Sequence, residues 1–364
     1  MGEKPKIAIV HDYLVDRGGA ERVVIALSRA FPDAPVYTSV YVPQKTFAYF
    51  AGQKIFYSRF LTFLARLCGA RERIFPLILL YFWRLNLRKY DIVISSSSTF
   101  AVQVRHPRHY CYCHTPARFI WRSADYNLAK NPLKQFFLNW IAFFVKPFDL
   151  AAARHIHLFI ANAENIRKRI QKTYKKKAIV INPPINCASF RPVKKTGGDY
   201  FLALSRLKKY KNIDLAVKVF NELKLPLRIA GQGSEKKYLR SIAQKNIKFL
   251  GKVTENRLRK LYANCRAFVF PGEEDFGITP LEAQASGRPV IGLGRGGLLE
   301  TVLDGQTGLF FAEPTAQSLK KTIQDFLKKE NKFSSSVIRR HAERFDERVF
   351  RKKIIYLIAS SHEK

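Results

Sequence analysis

The chain alternates throughout between short apolar runs and longer stretches with helical spacing, and this alternation limits its fold more than any other feature. In the first half the apolar runs are KIAIV (6–10), PVYTSV (35–40), DIVIS (91–95), HYCYCH (109–114), LFIA (158–161) and AIVI (178–181). Helical patterns follow at AERVVIALSRAF, LKQFFLNWIAFFVKPFDLAAARH and AENIRKRIQKTY. Apolar runs separated by helices read as strands of a parallel sheet whose crossovers are helical. The pattern stops at NPPINCASFRPVKKTGGD (182–199), whose Pro, Gly and Lys content marks a linker. It resumes with YFLALS (200–205), PLRIAG (226–231), IKFLG (247–251), AFVF (267–270), RPVIG (288–292) and GLFF (308–311). The chain closes on a basic amphipathic helix, FDERVFRKKIIYLIASS (345–361), with no strand after it. The expectation is an α/β protein of two Rossmann-like, doubly wound domains facing across a cleft, residues 1–186 and 187–344. The helix over 345–361 is free to pack back on the first. Ligands of such folds bind beyond the carboxyl ends of the strands.

Charge narrows the partners. The 364 residues carry a net charge of +36, with 47% hydrophobic residues, a globular rather than disordered composition. Residues 1–186 hold 29 Lys and Arg against 10 Asp and Glu, and residues 187–364 hold 35 against 18, so the excess is not a tail. Such a field attracts nucleic acid, anionic lipid headgroups or phosphorylated small molecules. Five cysteines at irregular spacing, Cys68, Cys111, Cys113, Cys187 and Cys265, argue against a disulfide framework and for a reducing compartment. MGEKPK runs into IAIVHDYL without a cleavage pattern. IFPLILLYFW (74–83) and QFFLNWIAFFV (135–145) fall short of the roughly 20 apolar residues that span a bilayer. A cytoplasmic location is therefore expected. The segment 55–89 interleaves large apolar residues with arginines, as an interfacial surface helix does, and predicts peripheral binding to an anionic membrane.

Against this basic background PGEEDFGITPLEAQASGRPV (271–290) concentrates carboxylates. Thr279, Pro280, Leu281 and Glu282 fit N-cap, N1, N2 and N3 of a helix TPLEAQAS, a capping box with proline in its favoured place. Glu282 could be no more than that cap. Glu273, Glu274 and Asp275 have no such explanation: they follow strand AFVF and lie on the loop at its carboxyl end. Gly277 lets backbone amides approach a ligand, and the helix start favours an anion. Acids that grip hydroxyls beside a site for phosphate suggest a nucleotide sugar.

EDFGITPLE, with its E-x7-E spacing from Glu274 to Glu282, resembles glycosyltransferase family 4, retaining enzymes of the GT-B fold. GGAERVV (18–24) is similar to that family's N-terminal glycine loop beside the donor phosphates, here Gly18 and Gly19. SRLKKYKNIDLAV (205–217) resembles its R-x4-K element, here Arg206 and Lys211, which holds the diphosphate. RHYCYCHTPARFIW (108–121) resembles the stretch with the active-site histidine, here His114, in a form most like the O-antigen mannosyltransferase branch. Asp275 departs from the family's usual glycine. The resemblance implies catalytic roles for Glu274 and His114, and a donor site of Gly18, Gly19, Arg206, Lys211, Phe276, Gly277, Ile278, Thr279 and Glu282. It implies GDP-mannose as donor, a lipid-linked saccharide as acceptor, and no metal or other cofactor.

The residues leave other readings open. Arg206 and Lys211 could be a solvated basic face, and Gly18-Gly19 a plain helix start. HYCYCH, with its CxC and histidines, hints at a metal site but has no second cysteine pair. GLGRGG (292–297), with Glu313 beyond it, matches a dinucleotide fingerprint, although the helix after it is short and the first βαβ unit lacks one. An NAD-dependent enzyme acting on sugar nucleotides is therefore one alternative. A basic nucleic-acid-binding protein is the other, but zinc-finger, RRM and helix-turn-helix signatures are missing and the aromatics lie in apolar runs, so no specific nucleic acid is expected.

Overall fold

A computed structural model describes residues 5–68, 74–121, 132–192 and 198–360. Residues up to Pro183, together with those from Phe350 onward, form one compact unit, and Pro184–Val349 form a second. In the first, β1 (Ile7–His11), β2 (Val36–Thr38), β3 (Ile55–Tyr57), β4 (Ile92–Ser97), β5 (His109–Cys113), β6 (Leu158–Ala161) and β7 (Ala178–Val180) make a sheet in the order β3-β2-β1-β4-β5-β6-β7. In the second, β8 (Phe201–Leu204), β9 (Leu227–Ala230), β10 (Ile247–Gly251), β11 (Phe268–Phe270), β12 (Val290–Leu293) and β13 (Gly308–Phe311) run β10-β9-β8-β11-β12-β13. All these pairings are parallel. Each order reverses direction once, between β1 and β4 and between β8 and β11. Doubly wound sheets place their ligands at such switch points.

Both faces of each sheet are covered. Ile7 and Ile9 point into one apolar layer with helix Gly19–Ala30, and Ala8 and Val10 into the other with helix Phe75–Arg84. This is why β1 reads as an unbroken apolar run rather than an alternating one. In the second sheet Phe201, Leu227, Ile229, Val269 and Ile291 share a layer with helices Ile213–Leu223 and Ala316–Lys329.

Two expectations are corrected here. Much of the expected linker is built into the second unit: Ile185, Cys187 and Phe190 are buried. The Ile185 amide donates to Phe345 O (3.0 Å), and the Cys187 amide donates to the Asp346 carboxylate (3.2 Å). Residues 193–197 of that stretch lie outside the described residues. Segment 55–89 is not one surface helix. It opens with edge strand β3, then forms helix Arg59–Leu67 and helix Phe75–Arg84, with 69–73 outside the described residues. Three β-strand residues give too short an apolar alternation to stand out against the helical spacing after them. At the other end of the chain, helix Glu347–Ser360 buries Phe350, Ile354 and Ile358 in the first unit's layer beside Tyr112 and Ile181.

Candidate active site

In the second unit the switch point brings the loop after β8 against the loop after β11. Arg206 is exposed two residues beyond the end of β8. Lys211, by contrast, is 6% exposed, and its ammonium donates to the Glu274 carboxylate in an ion pair. The backbone at Gly272 approaches so closely that a Cβ there would lie 2.9 Å from Lys211 Cα. The acid loop and the lysine are therefore one packed assembly. Glu274 does have a structural role, contrary to what a free loop acid would suggest: it neutralises a cation held almost out of water.

The capping box at 279–282 does not form. The helix runs Ile278–Ala285, with Gly277 as its N-cap in the left-handed region (φ 95°) and no side-chain cap. Thr279 and Pro280 thus fall inside the first turn, and Glu282 lies beyond N3, out of reach of the cap amide. Instead Glu282 is 1% exposed and accepts a hydrogen bond from the Tyr262 hydroxyl (3.0 Å). The amides of Ile278 and Thr279 are left without intrahelical acceptors, as at any helix start, and Pro280 has none to leave. Phe276 is buried, its ring against Phe345, and fixes the loop just before those amides.

GLGRGG has a different purpose from the dinucleotide one. The Gly297 amide donates to Glu274 O (2.9 Å). A Cβ on Gly297 would lie 2.2 Å from Phe276 Cα, and one on Gly296 (φ 62°) would lie 2.5 Å from Glu274 O. These glycines let the loop after β12 press against the backbone of the acid loop, a close approach that any side chain would block.

In the first unit, Gly18 is the N-cap of helix Gly19–Ala30, and its amide donates to the Glu21 carboxylate (3.0 Å). Glu21 is buried, and burial raises its pKa against the opposing pull of His11. A carboxylate thus already occupies one of the amides expected for phosphate, and those of Gly19 and Ala20 are the ones the helix leaves over. His114 follows β5 directly and is half-buried, with Nε2 2.8 Å from Ser96 Oγ and its carbonyl accepting from the Asn162 side chain (3.0 Å). His11, at the end of β1, places Nδ1 2.9 Å from Ser96 O, while its buried Nε2 has no hydrogen-bond partner among the described residues. Ser96 therefore links the two histidines across the β1–β4 switch.

HYCYCH brings together no group of three metal-ligating side chains among the described residues. His109 is held by Val104 O and Ser95 Oγ (2.9 and 2.7 Å), and burial lowers its pKa to about 3. Burial likewise pushes the Cys111 thiol up to about 12.

The structure therefore gathers the expected residues into two sets. Arg206, Lys211, Glu274, Phe276, Gly277, Ile278, Thr279 and Glu282 surround one switch point, and Gly18, Gly19 and His114 the other. Sequence reasoning missed His11, Ser96 and Asp12. Asp12 is buried and accepts from the amides of Ser98, Thr99, Phe100 and Ala101 (2.6–3.0 Å), fixing the turn beyond β4. Polar residues placed directly after apolar strands, HD after IAIV and SSSST after DIVI, were the available signal.

Comparison with known proteins follows this division. The family model for Glycosyltransferase Family 4 matches residues 17–189, and that for Glycosyl transferases group 1 matches residues 187–345. The chain is similar to the alpha-1,3/1,6-mannosyltransferase ALG2 of Dictyostelium discoideum, 24% identical, over 88% of this chain and 90% of that protein. It is also similar to a GDP-mannose-dependent alpha-mannosyltransferase of Corynebacterium glutamicum, 36% identical over 29% of this chain and 26% of that one. Among solved structures, HepE of Anabaena in complex with UDP-glucose superposes with a TM-score of 0.72 at 17% identity, covering 98% of this chain and all of that one (100%). The fold is GT-B.

Proposed function

Two matched family domains on a GT-B fold make this chain a glycosyltransferase, and from that premise we propose that it transfers mannose from GDP-mannose, with retention and without a metal, to a lipid-linked saccharide in surface-polysaccharide assembly. The observation that carries the reading is the Lys211–Glu274 pair at the β8–β11 switch, beside the exposed Arg206 and the free helix-start amides. Two cations and two amides suit a diphosphate, whose developing charge must be stabilised as the bond to the anomeric carbon breaks. Glu274, next to them, suits a sugar hydroxyl. Glu282 acts through its bond to Tyr262 and, once the donor is seated, through the ribose hydroxyls. In the first unit His114, oriented by Ser96, contacts the sugar. Mannose is supported by the mannosyltransferases among the relatives, and the branch by the HTP-x-R-x3-W form around His114.

Peripheral attachment to the inner face of the cell membrane is part of the same proposal. No helix among the described residues is long and apolar enough to cross a membrane. Yet helix Arg59–Leu67 exposes Phe60, Phe63 and Leu67, and helix Pro132–His155 exposes Trp140, Phe143, Phe144 and Phe148. Aromatic surface of this kind beside arginines and lysines suits an anionic interface. The test is product analysis with GDP-mannose and a short-chain lipid-linked acceptor, with and without chelator. An α-linked product, formed equally in chelator, is expected. Inversion at the anomeric carbon, or activity lost to the chelator, refutes the proposal.

A further inference from the structure

The second unit carries a concentration of positive charge at which the proposed chemistry has no use for it. Arg228 is the second residue of β9, between Leu227 and Ile229, which both point into the apolar layer. Arg228 therefore faces the opposite side of the sheet, where it is half-buried with its guanidinium 3.6 Å from the centroid of the Tyr200 ring. An interior parallel strand is ordinarily apolar on both faces, so a cation here asks for an explanation. Helix Glu255–Ala263 and the residue after it place Arg257, Lys260, Leu261 and Asn264 at i, i+3, i+4 and i+7, a single helical face. That face and Arg228, with Arg288 and Tyr200, line an open cavity of about 410 Å³. A second hollow of about 480 Å³ shares Lys260 and Asn264 and adds Arg191 and Arg259.

Tyr200 precedes β8 and Arg288 precedes β12, whereas Arg206 and Glu274 follow β8 and β11. In a parallel sheet these are opposite ends of the strands, so the cavity is distinct from the candidate active site. Its charge is also only partly compensated among the described residues, with Arg228, Arg257, Lys260 and Arg288 against Asp199. Elsewhere in this unit Lys211, Arg266 and Lys320 each have a carboxylate partner. Among the described residues no carboxylate pairs with Arg228, Arg257 or Lys260, and Asp199 is the one acid lining the cavity. Like charges gathered in a recess repel one another and raise the local concentration of anions. The volume suits a small molecule rather than a bare ion.

We propose that this cavity binds the phosphate of a small phosphorylated molecule of sugar-phosphate size, with Arg228, Arg257 and Lys260 as donors to its oxygens. The ligand's remaining bulk extends into the hollow beside Arg191. The test is calorimetric titration of the full chain in 150 mM salt, on the order of physiological ionic strength, with a hexose 6-phosphate and, as control, the unphosphorylated hexose. The Arg257→Glu/Lys260→Glu variant is compared with Lys321→Glu/Lys328→Glu, which makes the same change in net charge at exposed positions on helix Ala316–Lys329. All four positions are exposed, so the fold should survive in both variants. Loss of two charge-assisted contacts should weaken the phosphate ester on the order of 100-fold in the first variant. The second should stay within about threefold of the parent, and nucleoside diphosphate affinity should stay close to the parent's in both. No saturable binding to the parent, or equal weakening in the two variants, overturns the proposal.

Discussion

Removing the Glu274 carboxylate should loosen the loops of the second unit as well as impair turnover, and the Lys211 environment sets the size of the effect. The Lys211 side chain is 7% exposed and that of Glu274 is 31% exposed. Stranding one member of a fully buried pair costs about 3–5 kcal/mol, whereas exposed pairs are worth 1 kcal/mol or less. With one partner buried and the other a third exposed, about 2 kcal/mol is reasonable for Glu274→Ala. The loss is local, since it falls on the loop carrying Lys211 and on Gly272–Phe276, so amide hydrogen exchange is the appropriate assay. Exchange in peptides spanning 207–215 and 270–280 should quicken by roughly 30-fold, while β1–β7 are unaffected. Lys211→Met added to Glu274→Ala should recover much of the protection, because the stranded charge goes with it. Equal exchange in parent and Glu274→Ala, or no recovery in the double variant, would show that the pair does not hold these loops together.

Two further outcomes follow from packing and burial. Gly297→Ala should displace the 274–276 backbone, costing about 1–3 kcal/mol in thermal unfolding and most of the activity, since its Cβ would overlap Phe276; a silent substitution would refute the close approach. Asp149, fully buried and accepting from Trp121 Nε1 and the Tyr174 hydroxyl (2.6 and 2.8 Å), has its pKa raised by burial from 3.8 to about 6. The folded chain thus keeps a proton that the unfolded chain gives up in this window, so the group's contribution falls as pH rises from 3.8 to about 6. Asp149→Asn should therefore gain Tm relative to the parent across that range, and a pH-independent difference would contradict the assignment.

How much was legible turns on range along the chain. Twelve of the strands could be read from sequence as short apolar runs, most of them buried on both faces; β3 could not, since Ile55–Tyr57 is three residues long, has Phe56 and Tyr57 exposed, and runs almost directly into the helical spacing of Arg59–Leu67. The loops bearing Arg206, Glu274 and His114 were legible for the same reason, as residues that follow a strand. What stayed hidden are pairings made across the sheet. Lys211 meets Glu274 over 63 residues and Tyr262 meets Glu282 over 20, and neither pair has helical or strand spacing to betray it. The capping box failed because Gly277 takes the left-handed conformation and starts the helix two residues earlier than Thr279-Pro280 suggested, so that Glu282 turns inward to Tyr262.

The same long-range geometry explains why a strongly basic chain gathers acids at one loop. A cation as buried as Lys211 needs a fixed anion while no diphosphate is bound, and Glu274 supplies it. On the proposed reading, an arriving diphosphate brings a second negative charge to the lysine and leaves Glu274 available to a sugar hydroxyl. The carboxylate then preserves the charge balance of the empty site and serves the substrate in the filled one. A glutamine at 274 could reproduce the hydroxyl contact but not the first role. Glu274→Gln should accordingly retain more turnover than Glu274→Ala while sharing much of its accelerated exchange at Lys211.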